Sequence, residues 1–96
     1  MMEYLAASYF HQDYRLESDS PIGNLGRFLE NEGAAAGQEL LSEIQVILSC
    51  DMSESEIREI WIETYRSAYN PGVDGITNRK WMECMAAFLA SHLDGL

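Results

Sequence analysis

A chain of 96 residues holding sixteen carboxylates against six lysines and arginines has a formal net charge of −10. Such a surface repels nucleic acid and anionic lipid and attracts basic proteins, so neither direct nucleic-acid binding nor membrane association is expected. The length fits one domain over 1–96, the 47% apolar content argues against a disordered chain, and no apolar run approaches the roughly 20 residues that cross a bilayer.

In chain order the pattern predicts five helices and no strand: an all-α fold packed as an up-and-down bundle, since short loops make sequential helices antiparallel neighbours. The first covers about 2–11, with Leu5, Ala6, Tyr9 and Phe10 on its apolar side. Its start, Met1-Met2-Glu3-Tyr4-Leu5, lacks the basic region of a signal peptide, so a cytoplasmic location is expected. Asp19-Ser20-Pro21 reads as a cap with proline in the first turn. The second helix then runs to about Glu32, with Ile22, Leu25, Phe28 and Leu29 inward and Gly33 as a stop. The three-residue spacing of Gly23 and Gly26 suggests a close helix contact.

A third helix, about 35–49, places Leu40, Leu41, Ile44, Ile47 and Leu48 at helical spacing. Ser53-Glu54-Ser55-Glu56 fits a capping box opening the fourth. Its face is Ile57, Ile60, Trp61, Thr64, Tyr65 and Ala68. Asn70-Pro71-Gly72 ends it, and Thr77 caps a fifth helix with Trp81, Cys84, Met85, Phe88, Leu89 and His92 on one face.

The charge is uneven. Residues 33–64 hold seven acids, Glu39, Glu43, Asp51, Glu54, Glu56, Glu59 and Glu63, against the single base Arg58. In helical phase Glu56, Glu59 and Glu63 fall within about 60° of one another. Like charges so placed cost a few tenths of a kcal/mol, which Arg66 relieves in part. The stripe is either a solvated face or a partner-facing surface.

Other chemistry is thinly supplied. His11 and Asp13 have the types of a base and its orienter, but no nucleophile turn accompanies them, His92 is remote, and the surface repels phosphate. An enzyme is not expected; the pair serves more simply to fix a helix end. Residues 70–81 match a calcium loop at Asp74-Gly75 but fail at Gly72 and Trp81. Cys50 and Cys84 have no close His or Cys partners for zinc and are read as reduced, Cys84 as a small buried hydrophobe. No cofactor is expected. Tyr14 and Tyr69, beside loops, are the aromatics most readily placed at an interface.

Tyr9-Phe10-His11-Gln12-Asp13-Tyr14, with Tyr69-Asn70-Pro71, Asp74-Gly75-Ile76-Thr77 and Trp81, resembles the immunity proteins of bacterial contact-dependent growth inhibition systems, the CdiI type. Where that pattern expects tryptophan this chain has Tyr14. The resemblance implies an antitoxin that stays in the producing cell as a monomer. It would bind the C-terminal toxin domain of a cognate CdiA-type protein as a 1:1 heterodimer. Such toxins are frequently nucleases, often acting on RNA, with basic phosphate-holding sites. The shared blocks would then maintain the fold. Toxin recognition would fall where no shared motif lies, on Glu39, Glu43, Asp51, Glu54, Glu56, Glu59 and Glu63. The alternative is an acidic helical adaptor or nucleic-acid mimic serving another basic protein.

Overall fold

The computed structural model describes residues 1–10 and 20–94, and every regular element among them is helical. His11, Gln12, Asp13, Tyr14 and Asp19 lie outside the described residues. The first helix, α1 (Met2–Tyr9), buries Met2, Leu5, Ala6 and Tyr9 at the i, i+3, i+4, i+7 spacing of one helical stripe. It lacks a side-chain cap of its own. The Glu43 carboxylate supplies one from another helix, accepting from the Met2 amide at 3.1 Å and pairing with the chain's amino group at 2.8 Å.

The long element α2 (Pro21–Ser49) is two helices joined at Gly33, whose φ of 88° and ψ of 173° are open to glycine alone. Gly33 therefore breaks the helix as its position suggests, but the chain resumes helical geometry at once. Ser20 caps the first segment by accepting from the Gly23 amide at 3.0 Å, and Pro21 follows. The first segment buries Leu25 and Phe28; the second buries Gly37, Leu40, Ile44 and Ile47. The close approach suggested by Gly23 and Gly26 falls instead at Gly37, where a Cβ would lie 2.5 Å from Leu29 Cδ2; at Gly26 it would make only ordinary contact with Phe88.

The capping box predicted at Ser53 is present: the Glu56 amide donates to Ser53 Oγ, and the Ser53 amide donates to Glu56 Oε1. It opens α3 (Glu54–Arg58), which passes directly into a π-helical turn over Glu59–Thr64. The helix thus ends earlier than its apolar spacing predicts, and Thr64 and Ala68 are exposed. The β-branched Ile60, Ile62 and Thr64 lower the α-helical preference of this stretch slightly. A 3₁₀ turn (Pro71–Asp74) and Gly75, at φ 76°, then lead into α4 (Asn78–Asp94). As predicted, Thr77 caps α4, accepting from the Lys80 amide at 3.0 Å.

Trp81, Met82, Met85 and Leu89 bury one face of α4; Cys84 and Phe88 are half-buried and His92 is exposed. The largest helix contact is between α2 and α4, which are not consecutive in the chain. At the centre, Phe10, Trp61, Tyr69 and Trp81 pack with ring centroids 4.9–6.1 Å apart. Tyr69 is only 1% exposed, so it is a core residue and not an interface aromatic. Its carbonyl accepts from Trp61 Nε1 at 2.9 Å and its hydroxyl donates to Asp74 at 2.8 Å.

Candidate functional site

The seven carboxylates of the acidic middle divide by what they touch. Glu54 sits at the start of α3 and reaches the start of α4. Its Oε2 accepts from the Asn78 amide at 2.6 Å and Asn78 Nδ2 at 2.9 Å, and its Oε1 accepts from the Arg79 amide at 2.9 Å. These are first-turn donors that have no partner within their own helix, and the positive end of the helix dipole adds to the attraction. Desolvation pushes the Glu54 carboxyl up, but the hydrogen bonds from Arg79 and Asn78, with the Arg79 charge, outweigh it and hold the group below its ordinary value. Arg79 also donates through its guanidinium to the Met52 carbonyl, closing the joint from the other side.

Glu56 is held in the Ser53 capping box, and Glu43 holds the start of α1. Glu63 lies 3.6 Å from Arg58, five residues earlier, both side chains being at least half exposed. In an α-helix residues five apart diverge; the π turn, with its i to i+5 bonding, brings them to one side. The relief expected from Arg66 therefore comes from Arg58. Glu39, Asp51 and Glu59 are exposed, and no hydrogen bond or ion pair engages them among the described residues. Glu39 stands one turn before Glu43 on α2, and Asp51 lies in the link between α2 and α3.

A second feature was not foreseen from sequence. Between α1 and the chain leaving the π turn runs a surface groove of about 480 Å³. Glu3, Ala6 and Ala7 form one wall, and Tyr65, Arg66 and Ala68 the other. Hydrogen bonds fix the second wall: the Tyr65 amide to the Ile60 carbonyl at 3.0 Å, the Ser67 amide to the Trp61 carbonyl at 3.2 Å, and the Ala68 amide to the Phe10 carbonyl at 2.7 Å. Arg66, at φ 56°, is the one non-glycine residue with positive φ among those described. Tyr65 is half-buried. Burial first, then the charges of Glu43 and Glu3, push its phenol above the ordinary value of 10.0, so the ring's polar end sits in a negative field. An α-helical reading puts Tyr65 on the apolar face, and it does pack against the core, but only half-buried, with part of the ring left in the groove.

Two smaller grooves lie between α2 and α4, where His92 stacks on Phe88 with centroids 4.0 Å apart; Arg27 and Glu30 line the larger of them. Among the described residues no three His, Cys, Asp or Glu side chains gather as metal ligands would, and no helix is long and apolar enough to cross a membrane.

The family described as CdiI immunity protein matches residues 1–89. In fold the chain is similar to one in the crystal structure of a CdiA-CT/CdiI complex from Y. kristensenii, with a TM-score of 0.86 at 18% identity, over 92% of this chain and 94% of that one. No curated protein matches the sequence.

Proposed function

This chain belongs to the CdiI immunity protein family, and we propose on that premise that it neutralises the C-terminal toxin domain of a cognate CdiA-type protein. The observation that carries the reading is the family match over residues 1–89. A similar fold within a CdiA-CT/CdiI complex supports a toxin domain as the partner. The protein acts by binding and catalyses nothing, as a 1:1 heterodimer with toxin in the cytoplasm of the producing cell.

The partner is a basic nuclease domain, and the charge of −10 supports that part of the reading. Carboxylates set against a phosphate-holding groove exclude nucleic acid by both charge and bulk. All seven acids belong to this surface, with different duties. Glu39, Asp51, Glu59 and Glu63 present charge to the toxin. Glu43, Glu54 and Glu56 fix the helix starts from which those side chains project.

Co-expression with the C-terminal domain of the cognate CdiA-type protein tests the proposal. The expected result is restored growth and a 1:1 complex that survives purification, with the toxin's cleavage of RNA or DNA blocked at equal molar ratio. A toxin that still kills in the presence of folded protein would overturn the function. A toxin that cleaves no nucleic acid would remove the nuclease assignment alone. Weak, similar binding to many basic proteins would point to a general acidic adaptor.

A further inference from the structure

The groove between α1 and the π turn combines three independent features. At about 480 Å³ it is larger than the two grooves beside His92, of about 320 and 210 Å³. Its outer wall carries the two departures from regular backbone that glycine does not explain, the π turn at Glu59–Thr64 and the left-handed Arg66. Such departures persist only when surroundings enforce them, and they concentrate at binding sites. Its lining includes the small side chains Ala6, Ala7 and Ala68 together with the half-buried ring of Tyr65.

The charges choose the occupant. Among the described residues Glu3 makes no hydrogen bond or ion pair and faces the exposed Arg66 across the groove; Glu43 nearby is shared with the chain's amino group, and the two carboxylates together set the negative field at Tyr65. An aromatic face beside a free carboxylate suits a cation, which the ring attracts through its quadrupole. Of the two grooves beside His92, one sets Arg27 and His92 against Glu30 and the other is lined mainly by Leu29, Ala34 and Leu93, and neither holds a tyrosine ring beside a carboxylate. The walls are pinned by backbone hydrogen bonds, so little ordering cost falls on the binding step.

We propose that this groove is the anchor point of the toxin interface and receives a lysine or arginine side chain from the toxin domain, seated over Tyr65 and against Glu3. The inference rests on the antitoxin function proposed above. Tyr65 is the central hot spot, and the exposed acids of the 39–63 span form a surrounding charged field that guides approach.

Affinity for a catalytically inactive form of the cognate CdiA C-terminal domain, measured by calorimetry, tests it. Tyr65→Ala is expected to weaken binding about 30-fold or more, as truncating an interface hot spot does. Glu3→Lys is expected to weaken it about 10-fold and to flatten its salt dependence. Because Tyr65 also packs against the core, Ala7→Leu supplies a variant that fills the groove from an exposed helical position without removing any contact, and it too should weaken binding. Glu30→Lys, in the grooves beside His92, should leave affinity within about twofold. If the unaltered chain fails to bind the toxin domain, the antitoxin function falls and this inference with it. If the unaltered chain binds and the Glu3→Lys and Ala7→Leu variants bind equally well, the groove is not the anchor and only this inference is overturned.

Discussion

Glu54 shows at the scale of one residue why a carboxylate in an acidic stripe need not be free for a partner. Three hydrogen bonds from the start of α4 converge on it, two from backbone amides that helix geometry leaves unsatisfied. Replacement with alanine is expected to cost about 1 kcal/mol, the usual loss when a helix cap is removed. Glutamine should recover part of that, because one oxygen still accepts. The pH dependence has a definite sign. The folded-state carboxyl is held below its ordinary 4.5, so its contribution is complete above that value and disappears as pH falls through the lower folded value. Thermal melts between neutral pH and pH 3 should therefore show the unaltered chain losing stability faster than Glu54→Gln, with the two curves converging in acid. Parallel curves would mean that the carboxylate's charge adds nothing to the cap.

At the scale of elements, the helix starts were legible in the sequence and the helix ends less so. Ser20, Ser53 and Thr77 cap where short polar side chains precede apolar periodicity, because capping is local chemistry between residues three apart. Two caps were not legible: Glu43 on α1 and Glu54 on α4 act across 41 and 24 residues, and no spacing rule reaches that far. The π turn was also missed. Ile57, Trp61 and Tyr65 fit an α face in sequence, and only tertiary packing decides whether a β-branched run keeps that phase. Gly33 was read correctly as a break, and its backbone makes a sharp test. No atom stands within 4 Å of an added Cβ, so Gly33→Ala adds no clash and its whole effect is conformational. At φ 88°, ψ 173° an alanine is strained by about 1–3 kcal/mol, enough to lower the melting temperature by several degrees. An unchanged melting temperature would show that the two segments of α2 can straighten or shift without cost.

Over the whole molecule, the two ends of the chain meet in the core while much of the acidic middle stays exposed. Phe10, Tyr69 and Trp81, from the blocks that carry the family resemblance, meet in one aromatic centre although 71 residues separate the first from the last. Recurrent residues that pack on one another hold a fold common to many partners, and cannot by themselves choose a toxin. On the function proposed above that choice falls to the span 39–63, where Glu39, Asp51 and Glu59 engage in no hydrogen bond or ion pair among the described residues. Glu39, Asp51 and Glu59 are therefore the right positions to separate attraction from architecture. Converting all three to lysine removes much of the excess negative charge while touching no cap and no core contact. The folded state should lose no stability, because self-repulsion falls. Association with the toxin domain should slow by at least tenfold at low salt, with little change in dissociation, since charges outside the anchored contact act mainly on encounter. The difference between variant and unaltered chain should shrink as ionic strength rises past physiological, where the screening length falls to about 8 Å or less. Stopped-flow mixing across a salt series measures both rates. Faster dissociation with unchanged association would place these carboxylates in the bound contact instead of the approach path, and both rates equal to those of the unaltered chain at every salt concentration would show that these three carboxylates play no part in attracting the toxin.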